Sequence, residues 1–391
     1  MTTQGRAMAS ESREQISALT GLRFFAAAMV VTYHFARQRH FTNCIQHGAF
    51  GVTIFFVLSG FILAYSYSRG PGSIRGDLRA FWVARFARLY PVYLLGIMLF
   101  LPVVLNVTSE SLWKRGTTLL LSLTALQSWF HPLGLSWGMW NPPGWSLSAE
   151  AFFYLVFPVA CLRLSKLSIR QLLTFALACW ICSLLGVFNR FDIGLIEGDL
   201  WEFMPLARLP EFLLGITAGL MWKNRTSSSF DHLAPYVAIG AALLILVLMN
   251  LPLDPKWFLS GALAPLATLL ICALACGRGM LAALLAWRPV VVLGGASYSL
   301  YILHWPVWLI GQSFFGDSRF AIEHPYPYFF AYFLATVAAS WICFRYFEEP
   351  MNRRLRRKFM PPSMRDRQGV TDVSEPDMPA SVTAFNEQRS A

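Results

Sequence analysis

An arginine and a histidine, Arg23 and His34, stand eleven residues apart in the first long apolar stretch of the chain. Because an α-helix turns about 100° per residue, eleven residues complete three turns and roughly 20° more. Both side chains would therefore lie on one face of a helix, separated by about 16 Å along its axis. This spacing could place an anion clamp and a general base on one wall of a channel. Alternatively, Arg23 reaches the lipid headgroups and His34 makes an ordinary hydrogen bond within a helix bundle.

Two further arginines, Arg85 and Arg88, are separated by about one helical turn at the start of another apolar stretch. Two guanidinium groups on the same face suit bidentate binding of phosphate. The alternative is that both residues only anchor the end of a membrane span, as basic residues commonly do on the cytoplasmic side.

A carboxylate, Glu150, follows the segment 141–149, in which two prolines and a glycine interrupt the chain before a new helix. The helix dipole favours a carboxylate in the first turn, which is a sufficient structural reason for this residue. Its position beside polar, irregular backbone at membrane depth instead indicates a cavity lined by protein or water. On this second interpretation, Glu150 is a candidate catalytic residue, and Asn141, Trp145 and Ser148 are candidate substrate-binding residues.

Three other ionisable residues in apolar stretches are further candidates for substrate binding, namely Arg208, Glu211 and His304. Arg345, Glu348 and Glu349, at the end of the last apolar stretch, are also candidates, without an assigned role. An ionisable group in the hydrocarbon region is costly, which is why it often marks a functional site. Arg208 and Glu211 are three residues apart and could simply pair with each other. His304 precedes Trp305 and Pro306 and could merely form a hydrogen bond at a kink.

The histidines are scattered along the chain, and none of them forms a pattern such as H-x-x-x-H or H-E-x-x-H. We therefore predict no metal site. The sequence also lacks the G-x-S-x-G motif of many serine hydrolases and the glycine-rich phosphate loop of nucleoside triphosphatases.

The composition indicates that a membrane surrounds the elements that position these residues. Of the 391 residues, 56% are hydrophobic and 14% are charged, whereas soluble domains carry about 25% charged residues. The formal net charge is +11, but the basic residues stand in short loops between apolar runs. Membrane proteins fix their orientation in this way. We therefore predict membrane lipid as a partner and no binding to nucleic acid.

Eleven apolar segments are candidates for the roughly 20 residues that a helix needs to cross a bilayer. They are 18–36, 49–68, 86–105, 116–130, 147–162, 171–188, 205–222, 233–251, 258–276, 290–312 and 326–347. The fourth is short, and we predict that it is non-spanning or re-entrant. Ten spans then place most basic loops and both termini on the cytoplasmic side, whereas an eleventh span would reverse every later loop. The predicted fold class is all-α, a polytopic transmembrane helix bundle.

Basic residues of the predicted cytoplasmic loops include Arg69, Arg75, Arg79, Arg163, Lys166, Arg170, Lys223, Arg225, Arg278 and Arg288. The chain divides into a cytoplasmic N-terminal segment (1–17), a transmembrane domain (18–348) and a cytoplasmic tail (349–391) that is first basic and then disordered. Small residues that predict close contacts between helices stand at Gly48, Gly51, Ser59 and Gly60.

These segments, in this order, resemble the acyltransferase-3 family of membrane acyltransferases, whose members acylate bacterial surface polysaccharides, lipopolysaccharides, Nod factors and macrolides. The matching features are the spacing from Gly21 through Arg23 to His34, the stretch Phe55 to Gly60, the set Arg85, Arg88 and Pro91, the stretch Asn141 to Glu150, the stretch Ser297 to His304, and Glu349 with Pro350. The similarity extends over about residues 15–352. One departure is Phe86, which stands where many members have an arginine adjacent to the first.

The resemblance implies a membrane enzyme that transfers an acyl group from acyl-CoA, with acetyl-CoA expected, to a hydroxyl group. The implied acceptor is a cell-surface or exported glycan, a glycolipid or a related molecule, and the implied location is the bacterial cytoplasmic membrane. His34 would be the essential catalytic histidine and Arg23 its paired arginine. Arg23, Arg85 and Arg88 would hold the phosphates of acyl-CoA, and Glu150 would orient the imidazole of His34.

A multi-span transporter of an acidic or polar solute is the alternative interpretation. Buried arginine, glutamate and histidine residues and interrupted helices also occur in transporters. The inverted repeat that many transporters carry is not apparent in this sequence. A non-catalytic membrane sensor is a third possibility, which the number of buried charges disfavours.

Overall fold

The computed structural model describes residues 3–36, 46–107, 111–130, 140–188, 203–225, 229–315 and 323–360, and every structural statement below refers to these residues. Most of them are helical, as the long apolar stretches predict. Within these ranges the strands form one short antiparallel ribbon, in which Ser68–Gly70 (β1) pairs with Ser73–Ile74 (β2). The predicted all-α class is therefore confirmed.

The described ranges contain fifteen α-helices. They are α1 (Thr3–Ala36), α2 (Phe50–Tyr67), α3 (Leu78–Val107), α4 (Leu112–Leu123), α5 (Trp145–Leu164), α6 (Ile169–Phe188), α7 (Pro205–Lys223), α8 (Ser229–Asn250), α9 (Lys256–Leu259), α10 (Ala264–Leu274), α11 (Met280–Leu285), α12 (Arg288–Gly295), α13 (Ser297–Phe315), α14 (Pro325–Cys343) and α15 (Glu349–Phe359). Short 3-10 turns at Gln127–Trp129 and Pro142–Gly144 lie between α4 and α5. A π-helix at Phe344–Glu348 joins α14 to α15.

Six segments of the described chain are long and apolar enough to cross a membrane, and α12 with α13 makes a seventh if this bent pair is one span. The six are Ser17–Phe35, Phe50–Tyr67, Leu78–Pro102, Pro142–Leu164, Phe230–Asn250 and Pro325–Phe359. The predicted spans at α6, α7 and α10 are not among them. The protein is therefore a multi-pass membrane protein, while the count of ten spans stays a prediction.

The short segment predicted at 116–130 forms α4 and the 3-10 turn Gln127–Trp129. The 12 residues of α4 extend about 18 Å, which is too short for a hydrocarbon core of about 30 Å. Gln127 Nε2 donates to the carbonyl oxygen of Gly144 at 2.7 Å, and Ser128 Oγ donates to that of Trp145 at 3.0 Å. These bonds fasten the segment to the start of α5.

Helices α2 and α7 share the most extensive contact of any two described helices. A Cβ atom on Gly60 would lie 2.2 Å from the carbonyl oxygen of Phe212, and one on Gly215 would lie 2.0 Å from that of Val57. Only glycine permits two helix backbones to approach so closely. The prediction for Gly60 is therefore confirmed, and the close approach brings the two helices into register for the polar contacts described below.

Helix α1 packs against α2, α12 and α13. Cβ atoms on Gly48 and Gly51 would each lie 2.2 Å from a carbonyl oxygen of α1, that of Met29 and that of Ala26, respectively. Both glycines therefore make the close helix contacts that the sequence predicts. Ser59, the remaining small residue of that prediction, lines a cavity instead.

The predicted domain boundaries do not coincide with breaks in secondary structure. Helix α1 begins at Thr3 and continues through the predicted boundary between residues 17 and 18. At the other end, the π-helix leads directly into α15, so the basic start of the predicted tail is helical. Residues 361–391, which the sequence predicts to be disordered, lie outside the described residues.

Candidate active site

A cavity lies between α1, α2, α3, α5 and α13. Its volume is about 90 Å³, which is enough for several water molecules. Its polar lining consists of Arg23, Ser59, Arg85, Arg88, Ser146, Glu150, Tyr154, Tyr298 and Tyr301. Apolar side chains, most of them from α2, complete the wall. A cavity with charged groups in its wall, inside an apolar bundle, is the environment that the buried charges predict.

The three arginines predicted to bind phosphate converge on this cavity from two helices. Arg23 belongs to α1, whereas Arg85 and Arg88 belong to α3. Arg23 and Arg88 are close enough to repel each other electrostatically, and Glu150 attracts both of them. Because charges interact strongly where water is scarce, the convergence of three guanidinium groups favours the binding of an anion.

A second carboxylate, Glu348 of the π-helix, interacts electrostatically with Arg23 and Arg88. Its side chain is 6% exposed and accepts a hydrogen bond from Ser299 Oγ. The sequence groups this residue with Arg345 and Glu349 as an ionisable candidate but assigns it no role. The available signal was its place directly before Glu349 and Pro350, which belong to the resemblance.

Two tyrosines of the cavity, Tyr154 and Tyr298, are not among the site residues predicted from the sequence. Tyr154 Oη lies 3.5 Å from Glu150 Oε2, and Tyr298 Oη donates to the carbonyl oxygen of Leu89 at 2.8 Å. Tyr154 follows Glu150 by four residues, and Tyr298 precedes Tyr301 by three. Such spacings place side chains on the same face of a helix, and this was the signal available for both tyrosines.

The imidazole rings of His34 and His304 contact each other. His304 Nε2 lies 3.1 Å from His34 Nδ1, and the ring centroids are 5.0 Å apart. His304 is fully buried, and the indole of Trp305 packs edge-on against the ring of His34. Tyr301 lines the cavity, and its ring centroid lies 6.1 Å from that of His304. The histidine pair therefore adjoins the cavity at Tyr301.

Asn141 forms a hydrogen bond to a backbone carbonyl group of α13 that lacks its usual partner within its own helix because of Pro306. Pro306 has no N–H group to donate to the carbonyl of Ile302, four residues earlier in α13. The oxygen of Ile302 instead accepts a hydrogen bond from Asn141 Nδ2 at 3.2 Å. Asn141 is buried and has a φ of 130°, which few residues other than glycine adopt. The structure thus fixes this predicted substrate-binding residue two positions from His304.

Arg208 and Glu211 form a buried ion pair with each other. Arg208 Nε lies 2.8 Å from Glu211 Oε2, and Arg208 Nη2 lies 3.0 Å from Glu211 Oε1. Arg208 also donates to Thr53 Oγ1 at 3.3 Å, and its guanidinium carbon lies 5.8 Å from the ring centroid of Trp145. The pair therefore links α2, α5 and α7. A direct contact of either residue with a substrate stays a prediction.

The predicted site residues thus fall into three groups. Arg23, Arg85, Arg88 and Glu150 line the cavity, His34 and His304 contact each other, and Asn141, Trp145, Ser148, Arg208 and Glu211 are buried in α5, in α7 and in the turn before α5. His34 contacts the imidazole of His304 and the indole of Trp305, whereas Glu150 lines the cavity together with the arginines. Within the described ranges, no three His, Cys, Asp or Glu side chains stand together as a metal site requires.

A family model described as an acyltransferase domain matches residues 16–345, which is most of the chain. The chain therefore belongs to the acyltransferase-3 family, and the protein is an acyltransferase. This membership decides between the interpretations that the sequence left open, because it favours the enzyme over a transporter or a sensor. No solved structure matches the chain.

Several curated proteins are similar to this chain. It is 31% identical to the acyltransferase MdmB of Streptomyces mycarofaciens over 331 residues, which are 78% of this chain and 82% of MdmB. It is 26% identical to the O-acetyltransferase OatA of Staphylococcus aureus (strain NCTC 8325 / PS 47) over 363 residues, which are 88% of this chain and 58% of OatA. A third relative is a Bacillus subtilis (strain 168) protein that is provisionally named peptidoglycan O-acetyltransferase YrhL. The chain is 30% identical to it over 319 residues, which are 76% of this chain and 49% of YrhL. The chain thus spans about half the length of OatA and YrhL.

Proposed function

We propose that this protein transfers an acyl group, with acetyl expected, from acyl-CoA to a hydroxyl group of a glycan, a glycolipid or a related acceptor of the cell envelope. It would act in the bacterial cytoplasmic membrane. The observation that carries the proposal is the convergence of Arg23, Arg85 and Arg88 on one cavity that adjoins the histidine pair. The names of OatA and YrhL, which specify O-acetyl transfer, support acetyl as the group and an envelope polymer as the acceptor.

The cavity suits the phosphorylated end of acyl-CoA. Guanidinium groups bind phosphate oxygens through charge-assisted hydrogen bonds, each worth about 1.5–3 kcal/mol. An anion between Arg23 and Arg88 would also relieve their mutual repulsion. In this proposal Glu150 balances the arginine charges and keeps their side chains in the cavity. We propose this role for Glu150 in place of the one that the resemblance implies, the orientation of the His34 imidazole, because Glu150 lies among the arginines.

Helix α1 connects the arginine cavity with the candidate base. Arg23 and His34 lie on this uninterrupted helix and are separated by about 16 Å along its axis. Acyl-CoA carries its phosphates at one end and its thioester at the other. An extended pantetheine arm that starts at the arginines would follow α1 past Tyr301 and bring the thioester to His34.

His34 would act as the general base. Its imidazole removes the proton of the acceptor hydroxyl while the hydroxyl oxygen attacks the carbonyl carbon of the thioester. The carbon–sulfur bond then breaks, and the proton held by the imidazole passes to the departing CoA sulfur. The products are an ester of the acceptor and free CoA, and His34 returns to its neutral form.

The residues predicted to bind the acceptor are buried next to these groups. Trp145 packs edge-on against Phe56 and lies beside Arg208, so both shape the bundle between α2, α5 and α7. Asn141 contacts α13 two residues before His304. We propose Asn141 for direct contact with the acceptor and the remaining residues for the shape of the acceptor site.

Replacing Arg23 tests the donor assignment. In membranes that contain Arg23→Ala, the KM for acetyl-CoA should rise about tenfold or more, because a charge-assisted hydrogen bond is lost. Acetyl-pantetheine carries the same thioester without any phosphate, so its KM should be the same for the wild type and the variant. The measured product is radiolabelled acetyl in an alkali-labile ester.

Arg79→Ala is the matched control, because Arg79 lies on α3 with Arg88 but is exposed and does not line the cavity. This variant should leave both KM values unchanged. The donor assignment is wrong if Arg23→Ala, Arg85→Ala and Arg88→Ala all leave the KM for acetyl-CoA unchanged, or if they affect both donors equally. Failure of the wild-type protein to form any ester would contradict the proposed function itself.

A further inference from the structure

We propose that His304 is a positioning residue for His34: its Nε2 accepts a hydrogen bond from His34 Nδ1 and thereby leaves His34 Nε2 as the basic nitrogen. The inference rests on the proposed function, in which His34 removes the proton of the acceptor hydroxyl. It gives His304 a role different from the substrate contact that the sequence predicts.

The tautomer of His304 follows from its contact with the backbone. Its Nδ1 lies 2.7 Å from the carbonyl oxygen of Tyr301. A carbonyl oxygen can only accept, so His304 Nδ1 must carry the hydrogen. In the neutral ring the lone pair is then on Nε2, the atom that faces His34.

The tautomer of His34 follows in turn. Its Nδ1 lies 3.1 Å from His304 Nε2 and 3.0 Å from the carbonyl oxygen of Val30. Both of these atoms are acceptors, so His34 Nδ1 carries the hydrogen and the lone pair of the neutral ring is on Nε2. The two backbone carbonyl oxygens and the contact between the rings are thus all satisfied by one pair of tautomers, with the hydrogen on Nδ1 in both histidines.

Burial determines where the positive charge resides during the reaction. His304 is fully buried and His34 is half-buried, so a charge is less costly on His34. When the O–H bond of the acceptor breaks and the Nε2–H bond of His34 forms, no proton needs to leave His34 Nδ1. The bond from Nδ1 to His304 then has a charged donor and becomes stronger. His304 therefore stabilises the imidazolium of His34 while it stays neutral itself.

Two amide variants separate positioning from packing. In His304→Gln the side-chain amide reaches the place of Nε2, where its oxygen can accept from His34 Nδ1. In His304→Asn the shorter amide reaches only the place of Nδ1, so the bond to His34 is lost. We expect kcat to be about tenfold higher for His304→Gln than for His304→Asn, because a hydrogen bond to a charged group is lost in the latter. The KM for acetyl-CoA should be unchanged in both.

A double variant provides a second readout. Because His304 acts through His34, His304→Asn should cause no further loss of kcat when His34→Gln is already present. Tyr332→Phe is the structural control. Tyr332 Oη donates to the backbone oxygen of His304 at 2.9 Å, and this bond does not involve the imidazole. It should lower thermal stability and leave kcat, measured per amount of protein in the membrane, unchanged.

Three results would overturn this role. They are equal kcat values for His304→Gln and His304→Asn, a raised KM in place of a lowered kcat, and a full additional loss from His304→Asn in the His34→Gln background. Each of these requires a wild-type protein that forms the alkali-labile acetyl ester. If the wild type forms none, the proposed function fails, whereas activity of the wild type with any of the three results removes only the inference on His304.

Discussion

The half-buried imidazole of His34 bears most directly on the proposed chemistry. His34→Gln keeps much of the size and polarity, but an amide cannot take up a proton at neutral pH. Because a general base contributes about 10²–10⁴-fold in rate, we expect the formation of alkali-labile acetyl ester to fall by a factor in that range. The ester is measured per amount of protein in the membrane.

His232→Gln is the control for this replacement, because His232 is exposed near the start of α8 and lies outside the cavity lining. It should leave ester formation at the wild-type rate. Near-normal turnover by His34→Gln would identify His34 as a structural residue. The search for the base would then move to His304 or Glu150.

For single residues, the sequence predicts contacts that depend on spacing within one helix, but it does not predict contacts between residues that are far apart in the chain. The spacing of Arg23 and His34 predicts that they share one helix face, and α1 is helical throughout that interval. The pairing of His34 with His304 joins residues 270 positions apart and depends on the packing of α1 against α13. A single sequence does not show that packing, so the sequence does not predict the contact between the two histidines.

The close contact of α2 with α7 gives a prediction at the scale of whole elements. In Gly215→Ala the new Cβ atom would lie 2.0 Å from the carbonyl oxygen of Val57, so the helices must move apart. The move would also strain the bond between Thr53 and Arg208. We expect a lower midpoint of thermal unfolding in detergent, with a loss of roughly 1–3 kcal/mol in stability.

Gly240→Ala on α8 is the matched control, because a Cβ atom there meets nothing within 4 Å. Its midpoint should be unchanged or slightly higher, since alanine favours a helix more than glycine does. Equal midpoints for the two variants would show that α2 and α7 can separate without cost.

The apolar stretches predict most helices, but they do not predict bends within a stretch or helix ends that contain charged residues. The stretch at 49–68 agrees closely with α2, whereas α3 begins at Leu78, well before the predicted 86. Its first turns contain arginines, which lower hydropathy without opposing a helix. The stretch at 290–312 is two helices that meet at 62°, because hydropathy measures apolarity and contains no information on a bend.

For the molecule as a whole, loops predicted to share the cytoplasmic side lie together at one end. The N–H of Gly72 donates to Ser165 Oγ at 2.9 Å, so the β-ribbon contacts the turn between α5 and α6. Lys223 at the end of α7 donates to the backbone oxygen of Ser68. This arrangement supports the alternation of spans from which ten crossings were predicted.

Reporter fusions test the ten-span topology with both termini in the cytoplasm. A reporter enzyme that is active only in the periplasm should stay silent when fused after Lys358. The same reporter fused after Asn250, at the end of α8, should be active, because that loop is predicted to face outward. Activity after Lys358 would mean that the segment 116–130 crosses the membrane after all.

Helix α1 also sets a constraint on how the enzyme can vary. Since Arg23 and His34 lie on one continuous helix, the distance between the proposed donor anchor and the proposed base does not depend on how the surrounding helices are arranged. Movements of α2 or α13 would change the ring contact between Phe55 and Tyr301 but would leave this distance unchanged. On the proposed function, we therefore expect selection among acyl chains of different length to depend on the side chains around His34, such as Trp305, which can be substituted without changing α1.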